Sequence, residues 1–222
     1  MSSGLERVRT ILVPRGAEAA AVRRALDRRG DGATTRLLAL PAGRVAAASL
    51  PDQIDEPILV MGLCGALRGR SVGDVVVYRR VAAEGRQVKL DLGLAAALAA
   101  ALPAAHLVDA CSTDRVVTTV RERAALAARY DADVVDMEGM HLAVALAAKH
   151  RRFAMVRVVS DDATRDLPAL EHAIGAGGRL DVARTALAFV RRPRAAAAFV
   201  RGARAALAAL SETARVIASA GR

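Results

Sequence analysis

Aromatic residues are nearly absent from this chain: three Phe, two Tyr and no Trp in 222 residues. A core must therefore be built from Ala, Leu and Val. A surface that stacks exposed bases on rings, as single-strand nucleic-acid binders do, is disfavoured. Lysine is scarce too, with only Lys89 and Lys149, so almost all of the basic charge is Arg. The two cysteines, Cys64 and Cys111, form no CxxC metal pair, and two free thiols in a reducing, cytoplasmic setting are expected. Residues 1–10 lack the apolar core of a signal peptide. The longest apolar run, Leu92 to Val108, is mostly Ala and is broken by Pro103 and His106, which makes it a poor membrane span.

What remains is a globular composition. Hydrophobic residues make up 54% of the chain, enough to exclude disorder and to fill one sizeable core. The net charge of +10 and pI of about 11.1 would ordinarily point to nucleic acid or an anionic membrane. The arginines are scattered, however, and follow a general Arg and Ala bias, so nucleic acid is not expected as a partner.

Short apolar segments alternate with helical ones. Strands are predicted at Thr10–Val13, Leu37–Leu40, Ile58–Met61, Val75–Tyr78, Leu107–Ala110, Val116–Val117, Val134–Val135 and Phe153–Val159. Helices are predicted at Glu18–Arg28, Leu90–Leu102, Glu122–Tyr130, Gly139–Lys149 and Asp181–Val190. The alternation argues for an α/β fold, a sandwich around one sheet. The tail, Ala195 to Ala220, puts Phe199, Ala203, Leu207, Leu210, Ala214 and Ile217 on one helical stripe, with Arg201, Arg204, Glu212 and Arg215 opposite. Packing on its own domain is the plainer reading. Contact with a membrane surface or a partner subunit is the alternative.

Three constellations carry chemistry. Gly62-Leu-Cys-Gly65-Ala-Leu-Arg-Gly69 is not the dinucleotide fingerprint, because it leads into the strand after Val72-Gly73-Asp74 rather than into a helix. Its glycines permit close backbone approach to a ligand, but from this motif alone a tight turn is the plainer reading. In Asp136-Met137-Glu138, a carboxylate can accept hydrogen bonds from two vicinal hydroxyls, as a ribose diol requires. An isolated Glu138 would more simply be an acid at a helix N-terminus. In Arg157-Val-Val-Ser160-Asp161-Asp162-Ala163, a carboxylic acid lies at the end of an apolar segment. Cap or turn residues are the plainer reading of Ser160 and Asp161.

Taken in order, these blocks resemble the nucleoside phosphorylase/nucleosidase superfamily, including purine nucleoside phosphorylases and methylthioadenosine nucleosidases. The likeness covers about residues 10 to 165, through Val60-Met-Gly62-Leu-Cys-Gly65-Ala66, Val72-Gly73-Asp74-Val-Val-Val, Cys111-Ser-Thr-Asp-Arg-Val-Val, Asp136-Met-Glu and Arg157-Val-Val-Ser-Asp-Asp-Ala. Ala66 replaces the family's usual second Gly, and Val116 and Val117 stand where an aromatic often stacks the purine.

The resemblance implies a three-layer α/β/α sandwich around a central mixed twisted sheet. It implies a domain over residues 1–190 and a C-terminal helical extension over 191–222, the latter similar to members that act on a nucleoside joined to a polycyclic lipid. It assigns Asp161 as the acid toward the base with Ser160 orienting it, Glu138 to the ribose hydroxyls, Met137 to packing on the sugar, and Gly62, Cys64 and Gly65 to the loop beside ribose and nucleophile. Glu18 would prepare water. Arg15, with Gly16, would instead hold phosphate in a phosphorylase.

The expected activity is therefore cleavage of the N-glycosidic bond of a purine nucleoside or 5′-substituted adenosine, with water as acceptor. Phosphorolysis, and a non-catalytic nucleoside binder on the same fold, are the alternatives. No metal or organic cofactor is implied, and a homo-oligomer is.

Overall fold

The computed structural model describes residues 7–28, 35–167 and 193–220. In chain order its elements are β1 (Thr10–Pro14), α1 (Ala17–Asp27), β2 (Arg36–Leu40), α2 (Val45–Ala48), β3 (Ile58–Ala66), β4 (Val75–Ala83), β5 (Arg86–Lys89), α3 (Leu92–Ala101), β6 (His106–Ser112), α4 (Val120–Tyr130), β7 (Val134–Asp136), α5 (Gly139–Ala148), β8 (Phe153–Asp161) and α6 (Pro193–Ala220).

Among the described residues, all eight strands join one mixed sheet. β2, β1 and β3 run parallel, and β3 continues parallel to β8. β8 lies antiparallel to β4, β4 parallel to β6, and β6 parallel to β7. β7 then returns antiparallel to the end of β3, pairing Gly65 with Val135 and Ala66 with Val134. The sheet thus closes on itself through β3, β8, β4, β6 and β7. β1–β2 and β5 lie outside the ring. Closure requires β3 to serve two partners along its length, and a register slip between Cys64 and Gly65 marks where it bends.

Alternation along the strands builds the layers. Ile11, Val13, Leu59, Met61, Val156 and Val158 face one side and pack with Val22 of α1, Leu94 and Leu98 of α3, and Leu210 of α6. Leu12, Val60, Phe153 and Met155 face the other and pack with Met140, Leu142 and Leu146 of α5. A smaller cluster of Leu67, Cys111, Val117 and Val135 lies under Ala127 of α4. The mixed-sheet, three-layer expectation holds.

Two expectations are revised. Gly62 to Ala66 is not a turn but the second half of β3, because the pairing with β8 and β7 keeps the backbone extended there. Val116–Val117 is not a strand. The boundary expected at residue 190 lies outside the described residues; beyond it, Ala206, Leu210, Ala214 and Ile217 of α6 are buried in the same cluster as residues of β1, β8 and α1. That occupies the apolar face through which the helix would have touched a membrane, and leaves Arg201, Arg204, Glu212 and Arg215 outward. Among the described residues, no helix is long and apolar enough to cross a membrane. The helix predicted at Asp181–Val190 lies outside the described residues.

Candidate active site

The ends of β3, β7 and β8, the first turns of α1 and α5, and one side of α6 meet at a cleft of about 230 Å³. Glu18, Cys64, Gly65, Met137, Glu138, Ser160 and Asp161 all line it. Larger grooves exist, of about 480 Å³ between α1 and α6 and about 880 Å³ along α4 and α5, but neither is lined by a buried carboxylate. The convergence of acids, rather than size, marks the site.

At one end stands a buried charge cluster. Arg157 lies in mid-β8 with no exposed surface. An Arg inside an otherwise apolar strand must find carboxylates, since an unpaired buried charge is prohibitively costly. Its Nη2 stands 3.3 Å from Asp136 Oδ2 and 3.6 Å from Glu138 Oε2. Burial alone would favour losing the charge, but Asp136 and Glu138 outweigh it and hold the guanidinium charged.

Asp136 is also hydrogen-bonded by the Ser112 hydroxyl (2.5 Å), the Gly139 backbone N–H (3.0 Å) and the Tyr78 hydroxyl (3.2 Å). It therefore ties β7, β6, β4 and the start of α5 together. Glu138 occupies the N-cap position of α5 without capping it. Its Oε1 instead accepts the Gly43 N–H at 2.9 Å, so Glu138 stands at the helix terminus, as the plain reading has it, but commits this oxygen to a distant segment. Burial pushes the Glu138 carboxyl above the usual range, with Arg157 pulling it partly back.

Glu18 reaches this cluster from the first turn of α1. Its Oε1 accepts the backbone N–H of Leu63 at 2.7 Å. Burial of the carboxyl, then repulsion from Glu138, push it up to about 7, against the opposing pull of Arg157 and the Leu63 N–H. A carboxylate poised there is suited to general-base work near neutral pH.

Gly62 does not line the cleft but makes the cluster possible. A methyl group placed on it would lie 2.2 Å from Arg157 Nη1 and 2.9 Å from Glu18 Oε1. What approaches Gly62 is thus the protein's own charged side chains. Cys64 sits beside them with its thiol pushed well up by burial, and is no nucleophile.

At the other end, Asp161 Oδ1 accepts from the Ser160 hydroxyl at 2.6 Å, and Oδ2 stands 2.5 Å from Arg123 Nη2. Asp162 instead closes a local turn through the Thr164 backbone N–H and hydroxyl, and does not line the cleft. Val116 and Val117 form part of the wall, as does Phe199 from α6, the one aromatic among the lining residues. α6 leans closely on the strand end here: a Cβ on Gly202 would lie 2.6 Å from the Ser160 carbonyl oxygen. Arg15 is exposed, donates its Nε to Ala39 O at 3.1 Å, and is not part of the cleft.

The sequence reading did not single out Arg157, Asp136, Arg123 or Phe199 as site residues. Two carried a signal. Arg157 interrupts an apolar strand, and Arg123 falls on the inward stripe of α4 with Leu126, Ala127 and Tyr130.

The family whose sequence profile fits this chain is described as the phosphorylase superfamily, and the match runs over residues 45–200. The chain belongs to the phosphorylase superfamily. No curated protein sequence matches it. Several solved superfamily-like folds superpose over nearly the whole chain. A 5′-methylthioadenosine/S-adenosylhomocysteine nucleosidase from Neisseria meningitidis, in complex with methylthio-immucillin-A, gives a TM-score of 0.69 at 18% identity, over 96% of this chain and 100% of that one. The futalosine hydrolase of Helicobacter pylori gives 0.67 at 13% identity, over 98% and 99%. An MTA/SAH nucleosidase from Streptococcus pneumoniae gives 0.59 at 19% identity, over 92% and 99%. At such identities the likeness is one of fold.

Proposed function

We propose that this enzyme of the phosphorylase superfamily is a nucleosidase, releasing the base of a purine nucleoside or 5′-substituted adenosine with water as acceptor. Cleavage of an N-glycosidic bond is the activity common to this reading and to its phosphorolytic alternative. The observation that carries the choice of water is the placement of Glu18: its carboxyl, raised to about 7, lies against Leu63 N–H beside Glu138 and Arg157. Phosphate is already anionic and calls for cationic or backbone donors, not a carboxylate. Arg15, the candidate for that role, stands outside the cleft.

In this mechanism Glu138 accepts hydrogen bonds from the ribose hydroxyls, and Met137 packs on the sugar. The C1′–N9 bond breaks with its electron pair moving to the base, and Asp161 delivers a proton to N7. Water adds to C1′ as its proton passes to Glu18. The products are the free base and the free sugar. The apolar lining from Leu63, Leu167 and Phe199 suits an uncharged 5′ substituent. The structural neighbours from Neisseria meningitidis and Streptococcus pneumoniae, nucleosidases of methylthioadenosine and S-adenosylhomocysteine, support the same class.

The test is incubation with a panel of purine nucleosides, 5′-substituted ones included, with and without phosphate, detecting free base and ribose 1-phosphate. Base release in phosphate-free buffer is expected. Strict phosphate dependence would make the enzyme a phosphorylase. Release from no nucleoside, with binding retained, would make the protein a non-catalytic binder.

A further inference from the structure

Arg123 enters the wall of the cleft from the first turn of α4 and is 1% exposed. Its Nη1 donates to Ala66 O at 2.9 Å and Asp162 O at 3.1 Å, and its Nη2 to Val117 O at 3.0 Å. Nη2 also stands 2.5 Å from Asp161 Oδ2. The two terminal nitrogens of a guanidinium carry four hydrogens; three are committed to backbone carbonyls, and the Asp161 carboxylate lies against the same end as an ion pair.

The Asp161 carboxylate is correspondingly divided. Oδ2 faces Arg123 and also packs over Gly65, where a Cβ would lie 2.8 Å away. Glycine at 65 therefore leaves room for the carboxylate in this one orientation. Oδ1 faces the Ser160 hydroxyl, which also lies within 3.1 Å of Cys64 O. Two independent features, a buried guanidinium and a missing Cβ, thus hold the same oxygen.

We propose that Arg123 is a positioning residue that clamps Asp161 Oδ2, so that Oδ1 alone meets the base and handles its proton. The proposal rests on the nucleosidase reading of the cleft. It adds which oxygen acts, and which residue aims it. Through Ala66, Val117 and Asp162, the clamp also ties the acid to the end of β3, to the loop before α4 and to the residue after β8. A shift of α4 would move the acid with it.

A scaffold role for Arg123 would lower stability without coupling to Asp161, so the test measures coupling. Arg123→Lys, Asp161→Asn, their double mutant and Gly65→Ala are compared with the parent. The readouts are thermal unfolding, kcat and KM on the best-cleaved nucleoside in phosphate-free buffer, the pH profile of kcat/KM, and calorimetric binding of adenine and hypoxanthine. Misplacing an acid by about an ångström costs roughly 10²-fold. Arg123→Lys is therefore expected to lower kcat by roughly that factor with KM changed by less than about threefold, and to displace the pH profile.

In the Asp161→Asn background, the same change should add less than about twofold. Gly65→Ala, whose Cβ would press on Asp161 Oδ2 at 2.8 Å and only graze Arg123 Nη1 at 3.4 Å, should reproduce the kcat loss and keeps the test alive if Arg123→Lys does not fold. An Arg123→Lys loss that multiplies in full with Asp161→Asn, or an unchanged kcat and pH profile, overturns the clamp. If the parent cleaves no nucleoside, the nucleosidase reading fails on its own. Base binding then still reads the clamp: non-additive weakening by Arg123→Lys and Asp161→Asn supports it. Additive losses, or no base binding at all, overturn it.

Discussion

Gly62 and Arg157 touch so closely that a single methyl group on the glycine would lie 2.2 Å from the guanidinium Nη1. Arg157 has no exposed surface and is hemmed by Asp136 and Glu138, so it cannot swing away. Gly62→Ala must then push the arginine off its carboxylates or distort β3. The expected result is a folded but destabilised protein, by about 1–3 kcal/mol as for other overpacked cores, with activity largely lost. Chemical denaturation and a base-release assay check both. Parental stability and turnover in Gly62→Ala would show that the contact is not as tight as the geometry gives it.

Removing the arginine itself should cost more. Arg157→Met leaves Asp136 and Glu138 facing each other in a buried site, with Glu18 beside them and no counter-charge. Breaking a buried ion pair from one side typically costs about 3–5 kcal/mol. The loss should shrink at acid pH, because protonation relieves the repulsion and Glu18 and Glu138 both take up protons more readily than ordinary carboxyls. Denaturation midpoints at pH 5 and pH 8 test this. An equal loss at both would mean that Arg157 does not neutralise these groups.

Much of this site was legible before any geometry was known. Asp136-Met137-Glu138 and Ser160-Asp161 end apolar segments, and the chain brings those segment ends to one cleft. What stayed hidden depends on contacts across long stretches of sequence. Arg123 reads as one of many arginines until it is seen to reach Ala66, 57 residues away, and Asp162, 39 residues away. The glycines of β3 read as a turn because their missing side chains look like flexibility. In fact Gly62 and Gly65 make room for Arg157 and Asp161 within a strand. β5, Arg86–Lys89, has almost no apolar residue to betray it, and is defined by its pairing with β4. The closure of the sheet likewise follows from β3 pairing with β1 and then β7 while it pairs with β8 along its length, which no local pattern encodes.

Glu138 offers a cleaner chemical test than a loss of rate. One oxygen is engaged by Gly43 N–H and the other faces Arg157, while the residue lines the cleft. If it also receives the ribose hydroxyls, Glu138→Gln should weaken ribonucleosides by roughly 1.5–3 kcal/mol, the worth of a hydrogen bond to a charged group. It should weaken 2′-deoxy analogues by less. The ratio of kcat/KM for ribo and deoxy substrates is the measurement. An unchanged ratio would remove Glu138 from ribose recognition.

Glu18 links activity and stability to the same proton. Its carboxyl titrates at about 7 in the folded protein, against an ordinary value of 4.5. As the base that accepts a proton from water Glu18 must be ionised, while Asp161 must carry the proton it delivers, so kcat/KM should pass through a maximum with one of its two limbs turning at about 7. Glu18→Gln should lose base release by roughly 10²–10⁴-fold in phosphate-free buffer. The stability effect has the opposite sign. The folded state binds this proton more tightly than the unfolded state, so the stabilising contribution is complete below 4.5 and disappears as pH rises through about 7. A rise from 4.5 to about 7 corresponds to at most about 3 kcal/mol. Glu18→Gln, which stays neutral, should therefore match the parent's stability near pH 4 and exceed it by up to that amount at pH 8. Denaturation at the two pH values, beside the pH–rate profile, decides the matter. A variant no more stable than the parent at pH 8, or a rate that is flat from pH 5 to 8, would show that Glu18 is not the buried, poised base described here.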